Sequence, residues 1–508
     1  MIVKVNTGFV AGLEGSLVIA EADFSNGLPS FDVVGLPDAT VREAKERVRS
    51  AVRNSNFDFP AKRAVINLAP ADLKKEGTQF DLPIAVSVLL GTGQLKCDVS
   101  DYMLVGELGL SGELRRINGV LPLALCAAQN GIKNIIVPED NADEASLVKD
   151  INVFGARCLA DVFKHLSGEC ALQPYRCNTE DIFDRETHYN IDFSDVRGQA
   201  ALRRGVEIGV SGGHNILIVG SPGSGKSMIA QRIPTILPDM TFEEALEVTK
   251  IYSVAGELKE GQRLAARRPF RAPHHSASAA SIVGGGAKAR PGEITLAHNG
   301  VLFLDELPEY RKDVIEAMRQ PLEDKKITVT RAAASYTYPC NTMLVAALNP
   351  CRCGFYGDGT NRCRCSESDV RRYLGKISGP MIDRIDIQLE AFTVKYNDLT
   401  AKKGESSAEI KERVKNARAI QKERYKEDGI VCNAQLYGPL IEKYCPLGEE
   451  EGKMVQYAFD SLGLTARAYA RILKVARTIA DTEARRDINT MDIAEAIGYR
   501  SLDRKYFG

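Results

Sequence analysis

The stretch HNILIVGSPGSGKSMIAQRI, residues 214–233, leaves its neighbours little freedom in how to fold. A short apolar run leads into Gly220-Ser221-Pro222-Gly223-Ser224-Gly225-Lys226-Ser227, and a helix-forming segment follows at once. Strand, G-x-x-x-x-G-K-[ST] turn and helix in that order make a phosphate-binding loop. The glycines let backbone N–H groups turn inward around phosphate oxygens, and the helix N-terminus adds a partial positive charge. Lys226 is then expected on the outer phosphates of ATP and Ser227 on a magnesium ion. The competing reading, a glycine-rich turn that matches by chance, does not explain why a strand precedes it and a helix follows.

A second element is Gly300-Val301-Leu302-Phe303-Leu304-Asp305-Glu306. Its apolar run is too short for a helix and suits a central parallel strand. Two carboxylates stand at the C-terminal end, where open α/β sheets bind ligands. Asp305 is expected to hold magnesium, directly or through water, and Glu306 to polarise the attacking water. Alone, such a run is as often structural; after a phosphate loop it reads as the other half of a nucleotide site. TMLVAALN is a further short buried strand. If it lies beside the acidic one, its last residue, Asn349, orients water near the γ-phosphate. The ordinary alternative is a strand-end turn residue, which Asn favours.

At roughly 100–200 residues per domain, a chain of 508 residues suggests three domains. Residues 1–168 alternate strand-like stretches (SLVIAEADF, RAVINLA, YMLVGEL, NIIVP, INVFGA) with helix-like ones (Thr40 to Asn54, and DLPIAVSVLL), an α/β pattern. Residues 169–192 are polar and read as a linker. Residues 193–395 form the α/β unit that carries the nucleotide motifs. Residues 396–508 are rich in helix formers, as in AEIKERVKNARAIQKERYKE and LTARAYARILKVARTIAD, and hold no convincing strand. The net charge is −1, so nucleic-acid binding has to come from local basic surfaces. The start, MIVKVNTGFV, does not resemble a secretory signal, and no apolar run approaches the ~18 residues that span a bilayer. The chain is therefore expected in the cytoplasm and off the membrane.

Twelve cysteines are many for a reducing compartment, where clusters point to metal rather than disulfides. Cys351-x-Cys353 and Cys363-x-Cys365 flank the turn-rich GFYGDGTNR, which can fold back to bring the pairs together. Four thiolates in two close pairs suit a tetrahedral structural Zn2+ site. C-x-C is less usual than C-x-x-C, and the alternative is four unligated thiols open to oxidation. Cys340 is either an outsider or a substitute ligand. Arg352, Arg362 and Arg364 on this loop are candidates for nucleic-acid contact. Cys97, Cys126, Cys158 and Cys170 have apolar surroundings and read as small core residues.

Taken in order, GSPGSGKS, RPFRAPHHSAS, GGGAKARPGEITLAHNGVLFLDELPEY, RQPLED, NPCRCGFYGD and SGPMIDRIDI resemble the magnesium-chelatase-like AAA+ ATPases of the YifB or ComM family. The resemblance runs through all three domains. It implies a homo-oligomeric, hexameric ring with ATP between subunits. It implies that Arg384, in MIDRID, is the arginine finger serving the neighbouring subunit. It also makes Arg467, in LTARAY, the sensor arginine of a helical lid, with Arg471 as competitor. A guanidinium in either place neutralises charge on the transferred phosphoryl group. Residues 261–292 carry Arg263, Arg267, Arg268, Arg271, Lys288 and Arg290 and no acid. In the resembled clade this region is an insert facing the ring pore, and a positive lining there tracks a phosphate backbone. The ordinary alternative pairs these arginines with acids elsewhere. His274 and His275 read as structural.

Residues 1–168 are in turn similar to the proteolytic domain of the Lon proteases, through KKEGTQFDLPIA and RRINGVLPLALCAAQNGIKNIIVPED. The Lon serine falls on Gln79 and the Lon lysine on Leu121, which supply neither nucleophile nor base. Assembly or substrate binding is expected of this domain instead. The fold class expected is thus α/β: a Lon-protease-like α/β domain, a P-loop AAA+ α/β core and a C-terminal helical lid. The resemblance implies an ATP-driven motor on branched or single-stranded DNA, with branch migration or helicase action in recombination of incoming DNA. A remodelling chaperone of the metal-chelatase type, acting on a protein partner, shares the same nucleotide site. A binding-only protein fits poorly with Lys226, Asp305, Glu306 and Arg384 all present.

Overall fold

The computed structural model describes residues 2–72, 74–176, 189–259, 261–286, 289–330, 335–359, 361–393, 404–462 and 464–507. They fall into two compact units: Met1–Glu186 with Phe242–Ala266, and Thr187–Thr241 with Arg267–Gly508.

The first unit is built on a mixed sheet. Its strands lie in the order Pro174–Tyr175, Asn152–Ala156, Asn134–Pro138, Tyr102–Leu104, Ile2–Ala11, Glu14–Ser25, Arg63–Ala69 and Ser30–Val34. Ile2–Ala11 and Glu14–Ser25 form a long antiparallel hairpin, with Val5 opposite Ala20. Helix Ala39–Asn54 turns Val41, Ala44, Val48, Ala51 and Val52 inward and starts on Asp38, whose carboxylate accepts the Val41 N–H. Helix Asp81–Gly91 is buried from Asp81 through Leu90, as expected of DLPIAVSVLL, which has no polar face. Pro174–Tyr175, inside the stretch read as a linker, is the sheet's edge strand, while 177–188 lie outside the described residues. Cys126 is buried, but Cys170 is exposed just past helix Leu159–Ser167, contrary to its reading as a core residue.

Phe242–Ala266 departs from the expected continuous core of 193–395. Its helix, Phe242–Ala255, packs in the first unit against helix Val120–Gln129. The Gly119 N–H donates to Ser253 O at 3.1 Å, and the Ser253 hydroxyl donates to the buried Glu144. The chain leaves one unit to satisfy a buried carboxylate in the other, which no local pattern reveals.

The second unit holds a five-stranded, all-parallel sheet ordered Phe270–Arg271, Val301–Leu304, Met343–Leu348, Ile216–Gly220 and Ile387–Ala391. The three middle strands are buried at every residue. A parallel sheet covered on both faces demands such continuous apolar runs. Helices Ser407–Arg424, Ala466–Thr482 and Thr490–Gly498 share one core with the sheet, joining Ile472, Ile479 and Ile493 to Ile216, Ile218 and Val345. The helical region is therefore continuous in its packing with the ATPase core. Among the described residues from 404 to 507 there is no strand. A hairpin of Lys326–Thr330 and Ser335–Pro339 precedes the central strand. Among the described residues, no helix is long and apolar enough to cross a membrane.

Candidate nucleotide site

Three adjacent strands deliver the chemistry to one edge of the sheet. Ile216–Gly220 ends in the glycine-rich loop, Val301–Leu304 in Asp305 and Glu306, and Met343–Leu348, between them, in Asn349. Gly223 and Gly225 have φ of 77° and 86°, left-handed values that side chains other than glycine's rarely tolerate. Helix Lys226–Ile236 starts directly after Gly225.

The Lys226 ammonium donates to Gly220 O at 2.7 Å, Ser221 O at 3.0 Å and Asn349 Oδ1 at 3.1 Å. Burial pulls its pKa below the usual lysine value, against the opposing charges of Asp305 and Glu306. Ser227 Oγ donates to Asp305 Oδ2 at 2.6 Å. The Ser224 hydroxyl, in the middle of the loop, is buried without a hydrogen-bond partner among the described residues. Such an orphan costs about 1–3 kcal/mol, and a phosphate oxygen in the loop relieves it. The residues present thus fit ATP. Ser227 and Asp305 are the groups that would hold magnesium, which when bound offsets phosphate charge.

Glu306 adopts φ 53°, a left-handed backbone for a non-glycine residue, and its N–H donates to Asp305 Oδ1 at 3.0 Å. Strain of this kind collects at functional sites. His275 Nδ1 lies 3.3 Å from Glu306 Oε2, and the His274 ring lies 4.1 Å from that of His275, tilted by 35°. His275 thus touches the carboxylate expected to act on water, and among the described residues neither histidine belongs to a cluster that could hold a metal ion. The only hint in sequence is position, because His275 follows the strand Phe270–Arg271, which runs parallel beside Val301–Leu304.

The arginines divide. Arg384 is held within its own chain, donating to Arg319 O at 2.9 Å, Pro380 O at 2.7 Å and Glu323. Arg467 is 62% exposed and reaches Asp383 Oδ2 at 3.3 Å. Arg471 is 13% exposed and pairs with Asp386 at 3.2 Å. Arg471 is thus committed to a buried ion pair, and Arg467 has the freer guanidinium. In the basic insert, Arg263 pairs with Asp143, Arg271 is bidentate on Glu293, and Arg268 donates to Pro238 O and Asn299 O. Arg267 stacks over Tyr189. Arg290 is exposed, and Lys288 lies outside the described residues. Pairing with acids thus accounts for Arg263 and Arg271.

Cys351, Cys353, Cys363 and Cys365 converge, their sulfurs all within 4.8 Å of one another, and can hold a metal ion. Burial raises the Cys353 thiol, but backbone N–H groups of Phe355 and Arg364 and the Cys351 thiol outweigh it and bring it down to about 6. Cys340 is an outsider: it is buried, and its thiol donates to Pro321 O at 3.3 Å. In the first unit, Gln79 Nε2 donates to Glu76 O, and Leu121 is buried with its N–H on Glu144.

A P-loop ATPase of the AAA+ class is what this sheet order and site define. Family models agree. "Magnesium chelatase, subunit ChlI" matches residues 192–399, "Subunit ChlI of Mg-chelatase" matches 20–141, and "Magnesium chelatase, subunit ChlI C-terminal" matches 404–500. The chain is 44% identical over 501 residues to Competence protein ComM of Haemophilus influenzae, covering 97% of this chain and 96% of that protein. It is 44% identical over 503 residues to YifB of Escherichia coli, covering 98% and 97%. It belongs to the YifB/ComM family of magnesium-chelatase-like AAA+ ATPases. A Lon-like likeness also appears: 25% identity over 174 residues to Lon protease 1 of Hydrogenovibrio crunogenus, covering 31% of this chain and 21% of that one.

Proposed function

We propose that the chain is a cytoplasmic, ATP-hydrolysing ring motor, a hexamer, that acts on branched or single-stranded DNA by branch migration or helicase action during recombination of incoming DNA. The observation that carries the DNA half is the thiol loop, which leaves Arg352 and Arg364 exposed just beyond Asn349 of the nucleotide site. Exposed guanidiniums recruit phosphates by releasing counterions, without reading sequence. The word "competence" in the name of the Haemophilus relative supports the same reading. Zinc is the metal assigned to the four thiols, because a soft, all-sulfur tetrahedral set favours it. In the ring, Arg384 exchanges its own Glu323 for the neighbour's ATP.

A second reading, a remodelling ATPase with a protein client, is favoured by the ion pairs of Arg263 with Asp143 and Arg271 with Glu293, which leave less positive charge for a DNA-lining insert. ATP hydrolysis by the purified chain, with and without forked or three-stranded DNA, separates the two. DNA is expected to stimulate hydrolysis several-fold. Glu306→Gln is expected to lower it about 100-fold or more, as for loss of a general base. Hydrolysis indifferent to every DNA tested overturns the DNA motor and leaves the protein client.

A further inference from the structure

We infer that the thiol cluster is a metal prop for the phosphate-binding loop, so that zinc occupancy sets how tightly the chain holds ATP. This rests on the ATP reading of the loop and goes beyond it.

The first observation is sulfur spacing. Cys351 and Cys363 are 3.8 Å apart, Cys353 and Cys363 3.7 Å, and Cys351 and Cys353 3.3 Å. Four Zn–S bonds of about 2.3 Å in a tetrahedron put sulfurs about 3.8 Å apart. The spacing is far too long for disulfides, whose S–S bond is about 2.05 Å.

The second is what the loop leans on. Gly354, directly after Cys353, has φ 88°, and its N–H closes a turn on Cys351 O at 2.9 Å. A Cβ built on Gly354 falls 2.5 Å from Cδ and 2.6 Å from Cγ of Pro222. The backbone between the two cysteine pairs therefore rests on the proline ring of the phosphate-binding loop.

The third is covalent. Cys351 lies two residues after Asn349, whose amide oxygen accepts from Lys226. Cys351 itself is fully buried in the core formed by Leu302, Leu304 and Leu348. Among the described residues of 351–365 there is no helix or strand. Metal across the two C-x-C pairs is the cross-link that gives this loop a fixed shape. Without it, both the support under Pro222 and the placement of Asn349 loosen.

The test uses the full chain, loaded with zinc, and a fluorescent ATP analogue. One zinc per chain is expected by elemental analysis. Stripping it with a thiol-directed mercurial and chelator is expected to weaken analogue binding about ten-fold, a change of about one decade in Kd, and re-adding zinc to restore it. Cys363→Ser with Cys365→Ser, nine and eleven residues after the Gly354 contact with Pro222, is expected to lose both zinc and affinity. Gly354→Ala is expected to keep its zinc and still lose affinity. Metal-free purified protein, or unchanged affinity after stripping, overturns the coupling alone. No analogue binding by the zinc-loaded wild-type chain overturns the ATP reading together with it.

Discussion

The two units handle charge next to a sheet in opposite ways. In the first, Asp81 is fully buried, but Arg47 donates to both carboxylate oxygens, at 2.8 and 2.9 Å, and the Leu108 N–H adds a third donor at 3.2 Å. Burial still dominates and pushes Asp81 up to about 6, with Arg47 pulling the other way. Glu144 is closed in similarly by the Leu121 N–H and the Ser253 hydroxyl. Every donor these carboxylates need comes from the chain itself. In the second unit, Lys226, Asp305 and Glu306 stand where the parallel strands end, beside an orphaned Ser224 hydroxyl and a strained Glu306 backbone. A buried carboxylate enclosed by its own chain's donors belongs to the structure, and losing a donor is costly. Charges gathered beside an orphaned hydroxyl and a strained backbone are arranged for a ligand.

This contrast makes separable predictions. The largest effect is expected from Lys226→Ala. Hydrolysis should fall at least about 100-fold, as when a preorganised donor to a developing charge is lost, with little change in thermal melting. A large fall in melting temperature would mean that Lys226 is structural, like Asp81. Arg47→Ala should do the reverse. Leaving Asp81 buried without its partner is expected to cost about 3 kcal/mol in urea unfolding, followed by circular dichroism, while ATP-analogue affinity stays unchanged. Weakened ATP binding in that variant would blur the distinction between the units. The smallest effect is expected from Arg352→Ala with Arg364→Ala. DNA affinity should drop a few-fold, and the slope of log K against log salt should fall by about one per lost phosphate contact. Hydrolysis without DNA should not change.

Much of the site was legible because buried parallel strands need consecutive apolar residues. ILIVG, VLFL and MLVAAL announce themselves, and chemistry placed at their ends comes with them. The four cysteines were legible from pairing and an intervening turn. His275 was not, since its partner is 31 positions away on a parallel neighbour and no periodicity links them. Nor was the pinning of Arg384 by Glu323, or of Arg271 by Glu293, because complementary charges pair across space without a spacing rule. The strand Ile2–Ala11 alternates only loosely, and its place beside Glu14–Ser25 depends on a hairpin turn at Gly12, where φ is 65°.

Sequence alone therefore determined the class of chemistry, the α/β type of both units and the candidate residues of the nucleotide site, because short-range rules of strand burial and loop geometry act within a few residues. Folding in three dimensions decided which unit Phe242–Ala266 joins, which arginines remain exposed and what rests against Pro222. Those depend on a buried group such as Glu144 finding its donor wherever the chain happens to bring one.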